Sequence, residues 1–251
     1  MITLLLLAAM PAAALDHSAW DTLLKKYVNA ESRVDYKAWK ASGDLAALDE
    51  YLSAVAGPWA DSSPAETKSV LINAYNALTI RWILTHYPVE SIWKTKKPFT
   101  QARHMVNGRA TSLDAIETRL RTMGDPRIHA VLVCAARGCP PLRREAYVAE
   151  RLEAQLEANT RDWLADPRLN VFDPKARVAR VSSIFKWYGG DFPVLKAFLA
   201  RYAPDGKGDF LESGKSKVEY LDYHWGLNDQ GPSGEKYSGG LGFYLDYLRN
   251  R

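Results

Sequence analysis

Apolar positions recur at helical spacing along much of this chain. Trp20, Leu23, Leu24, Tyr27 and Val28 predict a helix over Trp20 to Val28, and Leu45 to Val55 repeats the pattern before Gly57-Pro58 ends it. The strongest signal covers residues 65–86. Val70, Leu71, Ala74, Leu78 and Trp82 make one face, and Ile72, Ile80 and Ile83 fill the others. A helix apolar nearly all round belongs at the centre of a fold. Ser112 to Met123 reads as a further helix, with Thr111 and Asp114 at capping-box spacing. Ile128 to Cys134 is short and β-branched, which favours a strand, although Asp125-Pro126 equally suits a helix start. Pro140 or Pro141 is expected to open a long helix reaching Leu164, with Tyr147, Leu152, Leu156 and Trp163 inward. Val171-Phe172 and Val178 to Val181 read as strands around Asp173-Pro174, Phe192 to Tyr202 as a helix, and Val218 to Tyr223 as a last strand. Nine of the 16 glycines fall between Gly206 and Gly242, which predicts irregular C-terminal loops. The expected fold is α+β: a helix-rich single domain with a small sheet and an irregular, Gly-rich C-terminal region.

Composition narrows the function classes. With 251 residues, 47% hydrophobic and 25% charged, the chain can bury one sizeable core, which excludes a disordered or disulfide-dense scaffold. The net charge of +4 comes without a dense Lys/Arg stripe, so nucleic acid is not an expected partner. One apolar run stands out, Ile2 to Ala14, and it is too short to span a bilayer. Leu4 to Ala9, Pro11 and Ala12-Ala13-Ala14 instead fit a secretory signal peptide cut after Ala14, although no Lys or Arg precedes the run. Residues 15–251 would then form a single periplasmic or secreted domain with no membrane span. No glycine-rich loop has phosphate-binding spacing, and no HExxH or CxxC pair marks a metal site. No cofactor or metal is expected.

Cys134 and Cys139 therefore become the informative residues, in Val-Leu-Val-Cys-Ala-Ala-Arg-Gly-Cys-Pro-Pro-Leu. In an oxidising compartment a lone pair can form a disulfide. Alternatively Cys139, at the start of a predicted helix and near Arg137, Arg143 and Arg144, is an activated thiol. Its base would be His129 or His224, since His17, His86 and His104 sit in less promising contexts. On an extended strand His129 and Cys134 would point to opposite faces about 16 Å apart, so Cys139 would have to fold back through Gly138. Glu117 either pairs with Arg121 at i,i+4 or orients a histidine. Asp191 follows two glycines and could cap a helix. Asn73 and Asn76, three apart on the apolar central helix, must tie down loops or line a polar pocket, and Asn73 or the amides of a helix start could hold an oxyanion.

Several blocks make a larger pattern: Val34-Asp35-Tyr36, Ile72-Asn73-Ala74-Tyr75-Asn76-Ala77-Leu78, Tyr87-Pro88-Val89 with Ser91-Ile92, and Ser112-Leu113-Asp114 with Ile116-Glu117. Asp125-Pro126-Arg127-Ile128-His129, Cys139-Pro140-Pro141-Leu142, Trp187-Tyr188, Asp191-Phe192 and Leu227-Asn228 continue it. Together, and in this order, they resemble the family catalogued as domain of unknown function 547, over about residues 18 to 228. The resemblance implies a single domain with a site near Cys139, and its name carries no reaction. One departure bears on the base: the family pattern has Tyr-Asp-Trp where this chain has Tyr223-His224-Trp225, which favours His129. The leading expectation is an exported thiol-dependent hydrolase or transferase with Cys139 as nucleophile, His129 as base and Glu117 as its orienting partner. Its substrate would be a small molecule, a peptide or cell-wall material. The alternative is a non-catalytic binding or scaffold domain held by a Cys134–Cys139 disulfide. Thiol–disulfide exchange ranks third, because CxxxxC lacks the short redox spacing.

Overall fold

In the computed structural model, residues 14–60, 63–235, 237 and 240–250 are described, so the proposed signal peptide falls, apart from Ala14, outside the described residues. The fold is built around the helix with the strongest sequence signal, here α4 (Pro64–His86), which follows α1 (Ser18–Tyr27), α2 (Tyr36–Ala41) and α3 (Leu45–Ala56). Ser63 caps α4 by accepting the Glu66 amide at 3.1 Å, and Pro64 sits in the first turn, where its missing N–H has no cost. Buried residues run round the whole circumference, from Thr67 to Leu84. α2, α3 and α5 (Leu113–Arg121) pack on it, and α1 joins through Trp20 and Tyr27, whose rings lie against Tyr51 (6.0 Å) and Trp39 (4.5 Å). α5 is capped one residue later than expected: Ser112, not Thr111, accepts the Ala115 amide.

Two small sheets flank the helices. β1 (His104–Val106) and β2 (Arg109–Thr111) form a two-residue hairpin whose Asn107 and Gly108 both take positive φ, as an Asn-Gly turn requires. β3 (Val171–Asp173) pairs antiparallel with β4 (Val178–Ser182), which pairs parallel with β5 (Lys217–Leu221). The crossover between β4 and β5 holds α7 (Ile184–Trp187) and α8 (Leu195–Tyr202). The α+β class and the small sheet are as the pattern implied.

Three expectations are corrected. Ile128 to Cys134 is not a strand. A tight helical turn, Pro126–Ala130, starts where the Asp125 side chain accepts the Arg127 amide, and irregular chain follows. No helix opens at Pro140-Pro141 either: residues 140–148 are irregular, and α6 runs only from Leu152 to Ala165. Buried side-chain amides take the place of helix hydrogen bonds there. Asn73 grips Tyr147 through both its N–H (3.0 Å) and its C=O (2.7 Å), and Gln155 does the same for Val148 N–H and Ala146 C=O. Finally, the Gly-rich C-terminal stretch ends in a helix, α9 (Gly240–Asn250). It is tethered by Asn250 Nδ2 donating to the Trp93 carbonyl (2.7 Å) and by a Lys94–Asp246 ion pair (3.0 Å).

Candidate functional site

The segment carrying the cysteines is held from below by α4. Asn76 donates to the Val131 carbonyl and accepts the Val133 amide, both at 2.9 Å, and Asn159 of α6 donates to the carbonyls of Ala130 and Pro141. Asn73 and Asn76 are thus committed to loop backbone and fully buried, so neither offers a donor to an oxyanion. From the side, Ala136 to Gly138 runs against residues 224–227: Gly138 N–H donates to the His224 carbonyl and Arg137 N–H to that of Gly226. Gly138 is required at this contact. A Cβ there would come within 2.9 Å of the His224 nitrogen and 3.0 Å of the Tyr223 ring.

This pairing brings Tyr223 over both sulfurs. Its hydroxyl lies 3.1 Å from Cys139 Sγ and 3.3 Å from Cys134 Sγ, and the two sulfurs are 3.0 Å apart and unbonded. The disulfide expectation is therefore not met; the two residues are free cysteines. Ala135 takes φ +61°, an unfavourable left-handed conformation for a residue with a Cβ. That turn aims the amides of Cys134 (3.2 Å) and Ala136 (3.4 Å) at Cys139 Sγ, a small anion-accepting nest. Burial pushes the Cys139 thiol up, but the Cys134 thiol, the Tyr223 hydroxyl and the two amides outweigh it and hold Cys139 below the ordinary thiol range. Cys134, donating to that sulfur and buried, is pushed well above it. The pair carries one shared negative charge before it carries two. The lowering of the Cys139 thiol thus comes from the Cys134 thiol, the Tyr223 hydroxyl and a backbone nest, not from the helix N-terminus the sequence suggested.

Beside the sulfurs lies a cavity of about 520 Å³. Its walls are aromatic: Trp93, Trp187, Tyr188, Tyr223, Trp225 and Phe243 contribute, with Phe243, Tyr244, Tyr247 and Asn250 all supplied by α9. Trp225 stacks between Trp187 (5.7 Å) and Phe243 (5.3 Å). The polar lining includes Asp114, Glu117, His129 and Cys134. Cys134, not Cys139, is the sulfur that faces the cavity, and Cys139 is 94% buried behind it.

His129 is oriented by Asp191, whose Oδ2 lies 2.8 Å from Nε2, and Asp191 is itself gripped by the Arg121 guanidinium at 2.5 and 3.0 Å. Arg121 first and His129 second hold the Asp191 carboxyl down to about 2. Burial pushes the imidazole below its usual value despite Asp191, so His129 is neutral at pH 7. Nε2 then carries the proton shared with Asp191, and Nδ1 keeps a free lone pair. Glu117 is not the orienting partner. Its carboxyl, raised by burial, accepts the Tyr188 hydroxyl, and the Tyr188 ring lies 4.3 Å from that of His129. Arg121 is drawn to Asp191 instead of closing the i,i+4 bridge to Glu117. Asp191 does not cap α8, which starts at Leu195. His224 stands apart: its Nδ1 accepts the Gly226 amide, and its side chain lines a second cavity. Among the described residues, no three His, Cys, Asp or Glu side chains converge as a metal-ligand set, and no helix is long and apolar enough to cross a membrane.

Sequence reasoning missed Tyr223 and gave Asp191 the wrong task. A Tyr in a strand-and-loop region carries no spacing signal for a sulfur 84 positions away.

Fold and site define an α+β domain that carries a partly buried thiol pair and an aspartate-oriented histidine on one aromatic cavity. Residues 60–164, which include α4, α5, His129 and both cysteines, match the model of the family described as "Protein of unknown function, DUF547". The match covers less than half of the chain, and it supports a DUF547 assignment through this segment. No curated protein and no solved structure matches the chain.

Proposed function

We propose that the protein is a thiol-dependent hydrolase or transferase acting on an acyl substrate with an aromatic or other flat apolar portion. The observation that supports this best is the free Cys134–Cys139 pair, 3.0 Å apart, with Cys134 on the same cavity as His129. In this reading Cys139 is the proton acceptor and Cys134 the nucleophile, which exchanges the roles expected from sequence. Cys134 attacks the acyl carbon as its proton passes to the Cys139 thiolate. That proton leaves through the Tyr223 hydroxyl, which touches both sulfurs and lines the cavity, onto the departing group. Water, or an acceptor in the transferase case, then attacks the thioester. His129 Nδ1 takes the proton of that attacking group and returns it to the Cys134 sulfur as it is released.

The test is a para-nitrophenyl ester of an arylpropionic acid. A burst of nitrophenol matching the protein concentration is expected, with the acyl group mapped to Cys134 by peptide mass spectrometry. Cys134→Ala should abolish it, and Cys139→Ala should slow it while leaving the adduct on Cys134. Absence of acylation at either cysteine would sink the proposal.

The short sulfur–sulfur distance favours one second reading. Cys134 would attack a substrate disulfide, expelling one thiolate, and Cys139 would displace the other, leaving a Cys134–Cys139 disulfide and two substrate thiols. Loss of both thiols on mixing with glutathione disulfide, without ester acylation, would select it. Export through the apolar leader belongs to the proposal and is tested by finding the protein, shortened at its N-terminus, in the periplasmic or extracellular fraction.

A further inference from the structure

Tyr223 separates the aromatic cavity from a second one of about 180 Å³, which the proposed chemistry does not use. At about 30 Å³ per water, it has room for a small ion with part of its hydration. Three arginines, Arg33, Arg137 and Arg168, line it. Arg168 is paired with Asp166 at 2.6 Å. Arg137 spends its N–H groups on the carbonyls of Leu227 (3.1 Å) and Asp229 (3.3 Å), which satisfy donors without cancelling charge, and its nearest carboxylate is Glu235 at 3.9 Å.

Arg33 differs from both. Its side chain is partly buried, and among the described residues its guanidinium makes no hydrogen bond or ion pair. Burial first, then Arg137 and Arg168, lower it to about 10, against smaller opposing effects of Cys139 and Asp166. The opposing group in the lining is Asp222, which is exposed. His224 stays neutral there, lowered by burial and then by Arg137. A half-buried guanidinium with five unused donors in a fixed fork matches a planar or tetrahedral oxyanion better than it matches water.

We propose that the second cavity is a binding site for a small oxyanion (a carboxylate, a sulfate or a phosphate), held in the fork of Arg33 with Arg137 supplying the surrounding positive field. This site stands whether or not the thiol chemistry proposed above is correct, because the one group the two share is Tyr223, whose hydroxyl relays the proton there and which is only a wall here.

The test is calorimetric titration of the whole protein at neutral pH with potassium phosphate, sodium sulfate and sodium acetate, at constant ionic strength set by sodium chloride. Saturable binding of one anion per chain is expected for at least one of the three. The ranking of the three then tells a tetrahedral dianion from a carboxylate. Arg33→Gln should weaken binding about tenfold or more, and Arg33→Lys, which keeps the charge but loses the fork, should fall between. Asp222→Asn, a surface change that does not threaten folding, should tighten binding about threefold by removing the opposing charge. No saturable binding by any of the three anions would overturn the proposal. So would binding that Arg33→Gln and Asp222→Asn both leave unchanged.

Discussion

Two sets of buried polar groups meet at the cysteine loop, and they differ in what they leave unused. Below it, Asn73 and Asn76 are shut away from solvent, and each gives a donor and an acceptor to one stretch of backbone. Above it, His129 keeps a lone pair directed away from Asp191, and Cys134 faces open space. Burial of polarity alone therefore does not distinguish scaffold from site. Unspent hydrogen-bonding or nucleophilic capacity beside a cavity does.

Substitutions on the two sides should separate cleanly. The largest expected effect is on chemistry: Cys134→Ala should lower thiol-dependent turnover by about a thousandfold or more, as loss of a nucleophile does, while the melting temperature stays within a few degrees. Asn76→Ala should do the opposite. It leaves the Val131 carbonyl and the Val133 amide buried and unpaired, at about 1–3 kcal/mol each, so urea unfolding should show a loss of about 2–6 kcal/mol. Asp191→Asn removes the acceptor that fixes the His129 tautomer, and turnover should fall about a hundredfold with little loss of stability. If Asp191→Asn unfolds the domain instead, the Arg121–Asp191–His129 chain is scaffold and the comparison fails.

A smaller, diffuse effect concerns pH. Burial lowers His17 and His104 from 6.5 to about 4, so the unfolded chain takes up their protons first as the solution is acidified. Stability present above pH 6.5 should be lost progressively as pH falls toward about 4, seen as a falling melting temperature. His104→Leu should flatten that slope, since the buried His104 Nε2 has no hydrogen-bond partner to lose.

Much of the helical frame was legible because α1, α3 and α4 are long and periodic, and a strong period survives most tertiary contexts. Residues 128–134 were not, because a short apolar run covered on both sides by side-chain amides looks like a buried strand. Pro140-Pro141 suggested a helix start, but the helix signals further on belong to α6 alone, and Asn73 and Gln155 hold the intervening loop. The β1–β2 hairpin had a readable sign in Asn107-Gly108. At the site, the types of residue were legible and their partnerships were not. Cys134, Cys139, His129 and Asp191 could each be named from sequence, but which acid meets the histidine and which sulfur meets the cavity depend on contacts spanning 62 to 89 residues.

The ceiling of the aromatic cavity comes from α9, about a hundred residues beyond Cys139. Vectorial synthesis at about 5–20 residues per second separates the two by roughly 5 to 20 seconds. Throughout that interval the thiol pair exists without its roof, and for most of it without the Tyr223 hydroxyl. The nascent chain therefore passes through a stage in which its two sulfurs are less selective than they will ever be again, and any oxidant or electrophile met then acts on chemistry the finished protein has fenced in.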